Sequence, residues 1–196
     1  MSNATGFGAE IDDLVLARAR RGDGPAFAQI YQRYARAAYT LALRLCGRPD
    51  LAEDVAQEAF LKAMEKLSSY RGEAPFGAWL KRLVANCAID RLRAERRWVD
   101  PEFAGVAEPQ QDAGGEAQVE ALGLLARMSA PARAALVLHE LEGYSHTELA
   151  ELFGRTESYS KSLLSRAIAR LRDLVDRDVS DAPAGPPRVR LTEESR

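Results

Sequence analysis

Apolar residues recur at spacings of three and four along almost the whole chain, and no run alternates apolar with polar as a half-buried strand would. The pattern predicts an all-α protein. Asp12 caps a short helix, "DLVLARARRG". Pro25 opens a long one to about Cys46, with Phe27, Ile30, Tyr34, Leu41 and Leu45 inward and Gly47 as its stop. Asp50, with Glu53 three residues on, has capping-box spacing and predicts a third helix from that cap to about Leu67. After the loop "SSYRGEAP", Pro75 begins a fourth that reaches Arg97. Periodicity fails from Asp100 to Gly115 and resumes near Glu116. "SAPARAALVLHEL" reads as one helix, with Ser129 as cap and Gly143 as stop. Ser145 and Glu148 frame "HTELAELF" as a capping box, Gly154 ends it, and Thr156 caps a last helix to about Arg177. The architecture expected is two small helical domains, 10–97 and 117–177. A flexible linker over 98–116 joins them, and a Pro-rich, disordered tail over 178–196 follows.

Charge sharpens this division. The net charge over 196 residues is only −2. Yet Val15 to Arg97 carries 16 Lys+Arg against 9 Asp+Glu, or +7, whereas Trp98 to Glu120 has 6 acidic residues and no basic one. A basic first domain on an acidic tether points to a polyanionic partner for that domain. No stretch approaches the roughly 20 consecutive apolar residues of a membrane span. The N-terminus lacks the basic and apolar regions of a signal peptide, so a cytoplasmic protein without membrane insertion is expected. Cys46 and Cys87 sit at helical spacing among apolar residues and read as core. His139 and His146 lack ligand partners at metal-binding spacing. No nucleophile–base pair stands out. The expectation is therefore no enzyme, no metal, no cofactor and no small-molecule substrate.

Three constellations carry candidate function. On the fourth helix, Leu80, Leu83, Val84, Cys87 and Leu92 form an inward stripe. Trp79, Arg82, Asn86, Arg93 and Arg97 fall near whole turns on another face, flanked by Lys81, Arg91 and Arg96. Cations at such spacing track a phosphate backbone, while an aromatic and an amide suit bases. Tyr70 and Phe76, near the start of that helix, add groups able to hold an unstacked base. On the third helix Asp54, Gln57, Glu58 and Leu61 make a mixed acidic and apolar surface, fit for a basic helical partner. Finally, "YSHTELAELFGRTESYSKSLLSRAIARLR" has the form of a helix-turn-helix, with Leu149, Phe153, Leu164, Ile168 and Leu171 as its packing set.

Taken in order, these stretches resemble a known family. "AEDVAQEAF" and "WLKRLVANCAIDRLR" look like region 2, and "LEGYSHTELAELFG" with the helix after it like region 4, of a bacterial RNA polymerase sigma factor of the extracytoplasmic-function (group IV) type. The resemblance implies a promoter-directing subunit that binds core RNA polymerase and promoter DNA and has an anti-sigma factor as regulator. It implies core polymerase binding through Asp54, Gln57, Glu58 and Leu61. It implies capture and melting of the minus-ten element by Tyr70, Arg71, Phe76, Trp79, Lys81, Arg82, Asn86, Arg91 and Arg93. It implies minus-thirty-five binding by Arg155, Ser158, Tyr159, Lys161, Ser162, Arg166 and Arg170. The acidic linker resembles the segment that threads the polymerase's RNA exit channel.

One stretch departs from the family. Members commonly read Gly-Thr-Val-Lys-Ser-Arg where this chain has "SYSKSL", Ser158 to Leu163. Ser160 falls on the buried stripe, where an unbonded hydroxyl costs about 1–3 kcal/mol. Leu163 falls by spacing on the face of Tyr159, Arg166 and Arg170, in place of a cation. Two readings stay open. In one, region 4 reads an unusual element, with Tyr159 and Leu163 against thymine methyls. In the other, region 4 is weak on DNA and the protein acts mainly through protein partners.

Overall fold

The computed structural model describes residues 6–95 and 116–181, and every regular element among them is helical. Helix α1 is Asp13–Arg20, with the Asp12 carboxylate accepting from the Leu14 N–H. Helix α2 is Gly24–Cys46, and Gly47 leaves it at φ 71°. Helices α3, Pro49–Lys66, and α4, Phe76–Ala94, complete the first bundle. Its core is Ile30, Tyr34, Leu41 and Leu45 of α2 with Val55 and Ala59 of α3 and Leu80, Val84 and Ile89 of α4, all fully buried. Leu83 is only partly covered. Cys46 and Cys87 are buried free thiols, and burial pushes the Cys87 thiol up.

The second unit comprises α5, Glu116–Ala126; α6, Ala130–Leu136; α7, His146–Phe153; and α8, Glu157–Asp181. The Ser145–Glu148 capping box is present in both directions. Gly154 stops α7 at φ 60°, and the Tyr159 N–H donates to Thr156 Oγ1 at the start of α8. Among the described residues, no helix is long and apolar enough to cross a membrane.

Several expectations need correction. Asp50 does not cap α3. Pro49 occupies the first turn, where its fixed φ suits helix entry, so the cap moves two residues earlier, to Arg48. The Asp50 carboxylate pairs instead with the Arg48 guanidinium, which lowers its pKa through that hydrogen bond. The run after Ser129 is not one α-helix. From Val137 to Leu141 it widens to π geometry, with Glu142 N–H donating to Val137 O five residues back. Ser129 starts α6 without a side-chain cap bond. Helix α8 runs four residues past Arg177, into the stretch expected to be tail. The expected linker, apart from Glu116, and the tail beyond Asp181 lie outside the described residues, as do Arg96 and Arg97.

Candidate nucleic-acid interface

The candidate residues on α4 start from a cluster of three rings. Tyr70 and Trp79 stand 5.2 Å apart, and each lies within 5.6 Å of Phe76. Phe76 is buried and forms the floor, while Tyr70 and Trp79 are half-buried. The Tyr70 hydroxyl donates to the Ala74 carbonyl and closes the loop on itself. Arg71, beside it, is exposed. Asn86 lies half-buried two turns beyond Trp79.

Three cations of α4 are engaged by the second unit. Lys81 Nζ donates to the Glu142 carbonyl at 2.7 Å and lies 5.3 Å from the centre of the Tyr144 ring. The Glu142 carboxylate is 3.8 Å from both Lys81 and Arg44. Burial raises the Tyr144 hydroxyl far above its ordinary value. Arg82 pairs with Glu151 at 2.9 Å, and Arg93 donates to the Phe153 and Leu152 carbonyls at the end of α7. The reverse contact is equally direct. Arg133 of α6 is 5% exposed and donates to the Leu45 and Cys46 carbonyls at 2.8 and 2.9 Å. Each unit thus closes a helix C-terminus of the other with an arginine, where carbonyls are orphaned and the helix dipole favours a cation. A cavity of about 460 Å³ lies in this seam, lined by Tyr70, Trp79, Lys81, Arg82 and Tyr144.

Among the candidates on α3, Asp54, Gln57 and Leu61 are exposed and Glu58 is half-buried. Met64, one turn beyond Leu61, is also exposed and extends the apolar part of this surface. Asp54 pairs with Arg91 at 3.0 Å, so two residues expected in different sites touch. Glu58 pairs with Lys62 one turn on, which raises the Lys62 pKa.

On α8, Arg155 in the turn and Ser158, Lys161 and Ser162 are exposed, with Tyr159, Arg166 and Arg170 half-buried. The Arg155 guanidinium sits 5.8 Å from the centre of the Tyr159 ring. Leu163 is not on this face. It is fully buried, because α8 packs against α6 and α7 together and so hides a wider stripe than one neighbour would. A contact between Leu163 and thymine methyls is therefore excluded, and no groove-facing cation has been lost there. Ser160 is buried as expected, and its hydroxyl has a partner: His146 Nδ1 at 3.1 Å. The His146 ring in turn stacks on His139 at 4.5 Å, and His139 Nδ1 donates to the Tyr144 carbonyl.

That stack has a pH consequence. Burial lowers the His146 pKa first, then the charges of His139 and Lys161, with Glu157 opposing. Below about pH 6.5 the unfolded chain therefore binds more protons than the folded one, and stability falls as pH drops through that range. A lower thermal midpoint at pH 5.5 than at pH 7.5, with a shallower slope in His146→Gln, is the expected result.

Arg133 and Glu142 escaped the sequence reading. A lone arginine in the apolar run "APARAALVL" was the available signal for the first; Glu142 had none.

Comparison with known proteins decides the family. Sigma-70 region 2 matches residues 30–98, and sigma-70 region 4 matches 118–171. The ECF RNA polymerase sigma factor SigM of Mycobacterium tuberculosis is 34% identical over 176 residues, covering 88% of this chain and 90% of the relative. This chain belongs to the ECF sigma factors. As a sigma factor it directs promoter-specific transcription initiation and is not an enzyme. Two solved structures are similar. One is the sigma factor RpoE in complex with the anti-sigma factor NepR from Bartonella quintana, with TM-score 0.56 and 28% identity over 78% of this chain and 98% of that one. The other is CnrH in complex with the cytosolic domain of CnrY, with TM-score 0.54 and 25% identity over 84% and 97%.

Proposed function

We propose that the two units divide promoter recognition. Region 2, residues 10–97, docks on core polymerase through Asp54, Gln57, Glu58 and Leu61, and captures the minus-ten element with the Tyr70–Trp79 rings, Asn86 and the cations of α4. Region 4, residues 117–177, binds the minus-thirty-five element through the exposed start of α8. The observation that carries this reading is the gathering of two half-buried rings, an amide and four cations on and beside one helix. Stacking holds an unstacked base and cations hold its backbone. Arg155, Lys161 and Ser162 remain exposed on α8, which favours duplex reading by region 4 over a purely protein-binding role.

The closed arrangement must open for this work. Elements roughly 25 base pairs apart are about 80 Å apart on duplex DNA, whereas Lys81 and Glu142 touch. The stretch 98–116 reaches at most about 65 Å when extended, which with the breadth of the domains bridges that span. Its acidity suits a channel built for RNA. The similar complexes with NepR and CnrY support an anti-sigma factor as a partner, and the family supports a cytoplasmic site of action. Run-off transcription with purified core polymerase and a promoter library is the test. A specific transcript is expected; inhibition without a transcript would instead mark a polymerase decoy.

A further inference from the structure

We propose that the segment Gly6–Asp12, together with Arg20, is a positioning device for the minus-ten loop. This rests on the assignment of Tyr70 and Trp79 to DNA capture. Phe7 is buried outside any helix, and its ring stacks on Tyr34 at 6.4 Å. Tyr34 is fully buried, its hydroxyl donates to the Ala9 carbonyl, and its ring meets Phe76 at 5.6 Å. Phe76 meets Tyr70 and Trp79. A continuous row of rings therefore runs from the N-terminal segment to the two half-buried rings of the loop and α4.

Two further contacts fix this row. A Cβ at Gly77 would stand 1.9 Å from the Phe7 carbonyl oxygen, a distance real atoms do not tolerate. Alanine is the better helix former, so glycine in the first turn of α4 serves the close approach of the segment and not the helix. On the other side, the Arg20 guanidinium donates to the Tyr70 carbonyl and lies 5.2 Å from the centre of its ring. The loop is pinned at Tyr70 by Arg20 of α1, and the start of α4 just beyond it is held by the segment. A loop ordered before DNA arrives loses little freedom on capturing bases, which speeds capture.

The test uses full-length variants, core polymerase and a promoter selected from a random library by the wild-type holoenzyme. Holoenzyme formation is followed by native gel and opening by permanganate reactivity. Gly77→Ala, and separately deletion of residues 1–9, should each slow opening about tenfold with polymerase affinity unchanged. Combining them should slow it no further, since both act through one contact. Arg20→Lys should keep most of the opening rate that Arg20→Ala loses. Wild-type opening in the deletion variant, or additive slowing in the combination, overturns the proposal. The deletion keeps it testable should Gly77→Ala fold poorly by circular dichroism. A wild-type chain that yields no transcript overturns the functional assignment beneath it, and that failure is visible before any variant is made.

Discussion

Reversing charge at Glu142 and Glu151 together is expected to raise the free protein's affinity for single-stranded DNA by up to about a hundredfold. Glu142 lies buried between Arg44 and Lys81, and Glu151 pairs with Arg82. The Arg82–Glu151 pair is exposed on both sides and contributes at most about 1 kcal/mol. Glu142 matters more, because a lysine there would be buried against two cations. Breaking a buried pair costs about 3–5 kcal/mol. Domain separation relieves that cost without unfolding either unit, since residue 142 then faces water. Apparent affinity scales with the fraction of binding-competent protein, so a shift of about 3 kcal/mol releases up to about a hundredfold. Fluorescence anisotropy with a mixed-sequence single-stranded DNA, polymerase absent, measures the gain. Small-angle scattering should show a larger radius of gyration for Glu142→Lys/Glu151→Lys. Unchanged affinity and radius would mean that the seam does not limit access to Lys81, Arg82 and Arg93.

The seam also marks where the sequence stops being informative. Helix stops at Gly47 and Gly154 and the Ser145–Glu148 capping box were legible because their chemistry is local: a positive φ, an orphan N–H, an acceptor three residues away. The core of region 2 was legible because each helix buries one stripe against its neighbours. Leu163 was misread because α8 has neighbours on two sides, and spacing alone does not tell how wide a buried face is. Asp50 was misread because Pro49 supplied a competing helix start and moved the cap back to Arg48. Arg93 and Arg133 reach the Phe153 and Leu45 carbonyls, 60 and 88 positions away in sequence, and no periodicity records that. Family resemblance compensates for chemistry such as the polymerase surface proposed for α3, but it leaves the seam unmarked because the motifs lie within each domain.

Trp79→Ala combined with Asn86→Ala should leave polymerase binding intact and abolish promoter opening. Stacking a base on an aromatic ring contributes about 1–3 kcal/mol, and a well-placed amide contact to a base edge a similar amount. Together they supply roughly 2–6 kcal/mol, which corresponds to about thirtyfold to more than ten-thousandfold in binding of the melted strand. Trp79 is half-buried against Tyr70 and Phe76, so its loss also loosens the ring cluster. Core binding should survive because Gln57 and Leu61 stand exposed on α3, a different helix from the one that carries Trp79 and Asn86. Arg82 and Arg93 remain in the double variant. The closed complex should therefore still form, with an unchanged slope of log affinity against log salt, since that slope counts phosphate contacts. Permanganate reactivity of minus-ten thymines should disappear. Restoring only the stacking surface, with Trp79→Phe in place of alanine, should recover partial opening. A double variant that loses polymerase affinity would contradict the division between α3 and α4; one that opens promoters normally would move base capture away from this helix altogether.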